Sequence, residues 1–172
     1  MYLSAFVAGL AHPISGADHI FAMVAVGLWS AVAGGRALWA WPTTFVAMTL
    51  PGFVAATLGM QLPLVQPGIV ASIVVLGLLI ALAVKAPVWL GAVIVGLFAF
   101  FHGHAHGDEM PDSASGFAYG AGFVLATALL HALGIGLGLV VGATGAAIGR
   151  RAVQTAGGAM ALAGVAILAG YL

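Results

Sequence analysis

Cysteine is absent from this 172-residue chain, and charged side chains make up only 5% of it. The first absence excludes disulfides, thiolate metal sites and cysteine nucleophiles. The second indicates a polytopic membrane protein, because a soluble domain carries about 25% charged residues. The charges, four basic and four acidic, leave no basic surface for nucleic acid and no polybasic lipid anchor. We therefore expect the lipid bilayer, and no nucleic acid, as a partner.

Long apolar runs predict the fold class. A helix needs about 20 apolar residues to cross a bilayer, and six segments qualify, at residues 3–34, 39–60, 68–84, 87–106, 116–148 and 153–172. We predict an all-α polytopic membrane protein, a bundle of about six transmembrane helices that forms a single domain over residues 1–172. The first segment is longer than one span requires. We expect it to break near His12 and Pro13 or at Gly16, because proline lacks an N–H and glycine weakens a helix.

The charged residues predict the orientation of the chain. All the basic ones lie in connections on one side of the bundle: Arg36, Lys85, Arg150 and Arg151. The acidic residues of the fourth connection lie on the other side: Asp108, Glu109 and Asp112. Basic connections face the cytoplasm, so both termini are expected outside. A short outward N-terminus is what removal of a signal peptide would leave, and we expect the gene product to have carried one.

A polar cluster interrupts the first apolar segment, with the sequence HPISGADH at residues 12–19. Its imidazoles, His12 and His19, are seven residues apart and fall on nearly the same helix face, with Asp18 close to them. Polar groups at membrane depth are expensive and usually mark an ion or substrate pathway. We therefore predict that these three residues bind a metal ion. Met23, four residues after His19, either lends a sulfur ligand or fills the core.

A second cluster closes the fourth segment, with the sequence FHGHAHGDE at residues 101–109. His102 and His106 share a helix face at i,i+4 spacing, which suits two ligands on one ion. Glu109 is expected at the outer mouth of the site. His104 points the other way along the same helix, and we expect it either to help gather the ion at the mouth or to belong to a merely histidine-rich loop.

Helix length allows the depth of these groups to be estimated. Asp18 and His102 each lie 16 residues from the cytoplasmic end of their segment, or about 24 Å at about 1.5 Å per residue. His131 lies 18 residues from its own end, or about 27 Å. The count predicts that three helices bring polar side chains to a similar level in the outer leaflet. His131 is then a ligand, a proton relay or a hydrogen-bonded packing residue.

Imidazole and carboxylate without thiolate fit nickel, cobalt or zinc better than copper(I) or calcium. The two motifs, with Ala22-Met23 and the sequence VGLW at residues 26–29, resemble the HupE/UreJ family of bacterial nickel and cobalt permeases over essentially the whole chain. The resemblance implies a secondary transporter of the bacterial cytoplasmic membrane that supplies nickel to metalloenzymes. It also implies motif residues at these positions: His12, Asp18, His19, Phe101, His102, His106 and Glu109. Many members carry a cleaved signal peptide and an acidic residue where this chain has Gln66.

We therefore expect uptake of divalent transition-metal ions, nickel first and cobalt second, through an intramembrane His/Asp site. The predicted metal ligands are His12, Asp18, His19, His102, His106 and Glu109, with His104, His131 and Met23 as accessory residues. No prosthetic group and no enzymatic activity are expected. An intramembrane zinc-dependent hydrolase, with Glu109 as general base, is one alternative. A membrane metal-binding subunit without transport is another.

Glycines recur every four residues in the fifth segment, at Gly134, Gly138 and Gly142. Such spacing lets another backbone approach closely. The partner is either a second copy of the chain, which would give a homo-oligomer, or another helix of the same bundle.

Overall fold

The computed structural model describes residues 2–111, 115–142 and 147–170. These residues form seven helices: α1 (Tyr2–Ser15), α2 (Ala17–Ala33), α3 (Ala37–Thr57), α4 (Val65–Ala81), α5 (Val88–Asp108), α6 (Gly116–Gly142) and α7 (Ala147–Leu168). The same ranges contain no β-strand. The prediction of an all-α polytopic membrane protein is confirmed. Asp112, which we expected on the outer side, lies outside the described residues.

The first predicted segment is divided into α1 and α2, whose axes differ in direction by 82°. Of the two predicted break points, the helix breaks at Gly16, whereas it continues through His12 and Pro13. Pro13 is buried within the last turn of α1, whereas Gly16 is extended at φ −105° and ψ 122°. A Cβ at Gly16 would lie 2.7 Å from a carboxylate oxygen of Asp18. The break therefore lies at a residue whose missing side chain leaves room for the Asp18 carboxylate in its present position.

The helices fit the predicted segments, with different lengths. By length and composition, α5, α6 and α7 are each able to cross a membrane, and the bent pair of α1 and α2 together makes a fourth candidate. The segments predicted at 39–60 and 68–84 correspond to α3 and α4, and α4 is apolar but only 17 residues long. The protein is therefore a multi-pass membrane protein. Its orientation across the bilayer stays a prediction.

Helix α2 lies at the centre of the bundle and packs against α1, α3, α4, α6 and α7. Every residue from 22 to 30 is buried, as expected for a helix that is apolar on all sides. Its approach to α6 is close, because a Cβ on Gly27 would overlap the carbonyl oxygen of His131 and one on Gly134 would overlap that of Val24. Gly138 also faces α2. These glycines serve packing within the bundle, and a homo-oligomer stays a prediction.

The two ends of the bundle differ in character. At one end, the stacked rings of Trp29 and Trp41 lie 4.1 Å apart, and each indole N–H donates to a backbone carbonyl at the α4–α5 connection. Lys85 and Arg150 line one cavity near this connection. The break between α1 and α2, the α3–α4 connection and Glu109 lie at the opposite end. The polar motifs and the basic residues are therefore separated by the length of the bundle.

Candidate metal site

The outermost part of the site is formed by His12 of α1 with His106 and Glu109 of α5 and its C-terminus. His12 Nε2 lies 2.7 Å from Glu109 Oε2, and one ligand atom from each of the three residues lies within 4.8 Å of the others. The hydrogen bond with His12 holds the pKa of Glu109 below its ordinary value. The carboxylate is therefore charged at neutral pH. A metal ion bound by His12 and Glu109 through bonds of about 2.0–2.2 Å would replace the hydrogen bond between them.

Four imidazoles form a continuous series inward from this mouth. The ring centroid of His106 lies 4.8 Å from that of His12 and 4.7 Å from that of His19. The ring of His19 lies 5.4 Å from that of His102. The side chain of His12 is 29% exposed, whereas His102 is fully buried. Side chains from α1, α2 and α5 thus lead from an accessible mouth into the bundle.

Asp18 fixes the orientation of His19. One oxygen of Asp18 lies 2.8 Å from His19 Nδ1 and accepts from the His19 backbone N–H at 2.9 Å. The other oxygen accepts from the side-chain amide of Gln66 at 3.0 Å. A proton on Nδ1 leaves the lone pair on His19 Nε2, which has no hydrogen-bond partner among the described residues. A carboxylate behind an imidazole is the usual way in which a protein orients a metal ligand.

His102 and His106 also present free ring nitrogens. His102 Nδ1 lies 2.9 Å from the carbonyl oxygen of Phe98, which can only accept, so Nδ1 carries the proton and Nε2 the lone pair. His102 Nε2 and both nitrogens of His106 lack a hydrogen-bond partner within the described part of the chain. Buried polar atoms are nearly always paired. A metal ion in the series would pair these nitrogens.

His104 is not part of the series, contrary to the expectation that it gathers ions at the mouth. It is 2% exposed, its Nε2 donates to the carbonyl oxygen of Met60 at 2.7 Å, and its Nδ1 lies 3.1 Å from a carboxylate oxygen of Asp108. The hydrogen bond from Nε2 ties α5 to the α3–α4 connection, whereas Nδ1 faces Asp108 without a hydrogen bond among the described residues. Met23 is fully buried in the hydrophobic core, which also includes Phe45, and it fills space there.

His131 lies one aromatic ring further from the mouth. The ring of Phe45 packs against His102 at 5.3 Å and against His131 at 4.9 Å between centroids. The depth count, made for Asp18 and His102, therefore agrees with the neighbouring positions of His19 and His102. The count for His131 used a segment end at residue 149, which lies in α7, whereas α6 ends at Gly142. Whether these predicted residues bind a metal stays a prediction.

Two residues that contact the candidate site were not predicted from the sequence. Phe45 packs against two imidazoles, and the ring of Tyr119 lies 6.1 Å from that of His12. A single aromatic residue in a membrane helix gives no signal of this kind. Gln66, which the sequence singled out only where many family members carry an acidic residue, holds Asp18.

Comparison with known proteins agrees with the two motifs. The chain matches the family described as HupE / UreJ protein over residues 2–167. It is 48% identical over 165 residues to Protein HupE of Rhizobium leguminosarum bv. viciae, an alignment that covers 95% of this chain and 84% of that protein. No solved structure matches it. The chain therefore belongs to the HupE/UreJ family, a family of transporters associated with nickel and cobalt.

Proposed function

We propose that this protein takes up Ni²⁺, with Co²⁺ as a second substrate, across the bacterial cytoplasmic membrane along the series of four imidazoles. The observation that carries the proposal is the series itself, because neighbouring rings from three helices lie 4.7 to 5.4 Å apart between an accessible mouth and a fully buried position. Such a series offers an ion successive binding positions. A site that only stored a metal ion would need a single binding position.

The donor atoms favour first-row divalent ions. Neutral imidazole nitrogen is a good ligand for nickel, cobalt and zinc, whereas calcium and magnesium prefer oxygen alone. These ligand types do not separate nickel from cobalt or zinc. Membership of a nickel- and cobalt-associated family supports nickel as the principal substrate.

Entry begins at the exposed carboxylate. Glu109 attracts the hydrated cation, and His12 and His106 replace part of its water shell. The ion then passes to His19 and His102, and each step must bind weakly enough to release it again. In this structure the path ends on the apolar core around Phe45. Movement about the break at Gly16, or of the core side chains, would open the inner half.

Asp18 acts in this scheme through His19. Both carboxylate oxygens of Asp18 already accept hydrogen bonds, from His19 and from Gln66. It therefore serves as a positioning residue that keeps Nε2 of His19 free, whereas the imidazoles contact the ion. The sequence alone placed Asp18 among the ligands.

Two neighbouring carboxylates provide the test. Glu109 belongs to the mouth, whereas Asp108 faces His104. In proteoliposomes loaded with a metal-sensitive dye, Glu109→Gln should slow Ni²⁺ entry at least about tenfold, the effect expected for loss of a ligand or its support. Asp108→Asn should stay within about twofold of the unmodified protein, and His19→Ala should abolish entry.

Empty liposomes serve as the control, and the same assay is repeated with zinc and with cobalt. Absence of nickel and cobalt flux through the unmodified protein, with metal still bound in detergent, would contradict transport and favour the non-transporting subunit. An equal loss of the Ni²⁺ entry rate in Glu109→Gln and Asp108→Asn would contradict the position of the mouth.

A further inference from the structure

Helix α6 carries a row of four buried residues at intervals of four: Tyr119, Phe123, Thr127 and His131. Neighbouring members of this row adjoin each other on the helix surface, and the row winds by about 120° from its first member to its last. The hydroxyls of Tyr119 and Thr127 and both ring nitrogens of His131 have no hydrogen-bond partner among the described residues. A protein normally leaves only a few buried polar atoms unpaired. Thr127 and His131 are one helical turn apart, and their unpaired atoms indicate a shared ligand.

This row of α6 residues begins at the mouth and continues past the imidazole series. Its outer part contacts the series, with the ring of Phe123 4.1 Å from that of His106. Its last member is His131, and the ring of Phe45 contacts both His131 and His102. Thr127 lies one helical turn before His131. Helix α6 therefore supplies polar atoms next to the buried end of the series.

We propose that His131 and Thr127 form a second metal-binding station, which receives the ion from His102 after it passes Phe45. The inference rests on the proposed function and adds an inner binding position to it. His131 offers an imidazole nitrogen, the donor that first-row divalent ions accept readily, and Thr127 offers a hydroxyl oxygen to the ion or to its remaining water. Because Phe45 contacts both His102 and His131, a turn of its ring is the movement that would connect the two stations.

The surroundings of His131 support a binding role over simple packing. A packing histidine would give at least one nitrogen to a protein acceptor, and neither nitrogen of His131 has one in the described part of the chain. The backbone of His131 is held firmly, because Gly27 of α2 lies directly against its carbonyl oxygen. His131 also lines an apolar hollow between α3 and α6, with Val46 and Ala128 among others.

Nickel stoichiometry separates this station from the outer one. Full-length protein in detergent should bind a second equivalent of Ni²⁺ in equilibrium dialysis, measured by elemental analysis. His131→Gln should lose that equivalent, keep the affinity of the remaining site within about twofold, and slow uptake into proteoliposomes at least about tenfold. Thr127→Val should weaken the second equivalent, whereas Thr127→Ser, which keeps the hydroxyl, should not.

The inference is overturned if the unmodified protein binds a single equivalent, or if His131→Gln retains both the second equivalent and the normal uptake rate. If His131→Gln elutes as aggregate, binding of the second Ni²⁺ equivalent is compared between Thr127→Val and Thr127→Ser. If both variants bind that equivalent equally well, the second station is contradicted. Failure of the proposed function looks different, because the unmodified protein would then admit no metal at all.

Discussion

Replacement of Asp18 distinguishes a residue that orients His19 from one that binds the metal directly. Asp18→Asn keeps an oxygen able to accept from His19 Nδ1, now 2.8 Å away, and removes the negative charge. Asp18→Ala removes both. Loss of a group that orients a ligand costs about 10-fold to 100-fold in metal affinity. We expect about tenfold weaker Ni²⁺ binding for Asp18→Asn and about 100-fold for Asp18→Ala, or about 1.4 and about 2.8 kcal/mol.

Gln66→Ala serves as the matched control, because it removes a single neutral donor, 3.0 Å from the outer oxygen of Asp18. A net hydrogen bond contributes about 1 kcal/mol, so affinity should fall about fivefold or less. Isothermal titration of the full-length protein in detergent measures all three variants, with gel filtration as the test of folding. Unchanged affinity in Asp18→Ala would refute the orienting role. A loss beyond about 1000-fold in both Asp18 variants would make Asp18 a direct ligand.

Further predictions concern pH, an excluded histidine and helix packing. Nickel capture should keep the contribution of the Glu109 charge from neutral pH down to about pH 4.5, because the hydrogen bond with His12 holds the pKa of Glu109 below that ordinary value; nickel titrations of the unmodified protein and Glu109→Gln over this range measure that contribution. His104→Ala should leave the nickel affinity within about twofold while lowering the melting temperature, since it leaves the carbonyl of Met60 without its 2.7 Å partner at a cost of about 1–3 kcal/mol. Gly27→Ala should destabilise the α2–α6 contact by about 1–3 kcal/mol and lower the melting temperature. Gly136 has open space around it, so Gly136→Ala should not lower the melting temperature. Equal melting temperatures of the two variants would contradict the packing described here.

Local chemistry and helix geometry predicted the broad layout of this protein. Apolar runs located the helices because each must bury its backbone polar groups in lipid. Counting the rise per residue placed His19 near His102, since helices that cross one bilayer advance by the same amount per residue. The i,i+4 spacing likewise placed His102 and His106 on one face.

Contacts between distant segments determined the features that the sequence did not predict. At the break, the carboxylate of Asp18 occupies space that a side chain on Gly16 would need. His104 is held by the carbonyl of Met60, 44 residues earlier in the chain. Phe45 became important only through its contacts with both His102 and His131. Pairings of this kind join distant segments, and neither spacing nor composition reports them.

The central claim is that imidazoles from α1, α2 and α5 meet around one transported ion. The most direct measurement is a structure of the full-length protein with Ni²⁺, with anomalous scattering recorded at the nickel absorption edge. We predict an anomalous peak about 2.1 Å from a ring nitrogen of His106 and from one of His12 or His19. Nickel found only at surface carboxylates, with no imidazole of the series in its coordination sphere, would contradict the account.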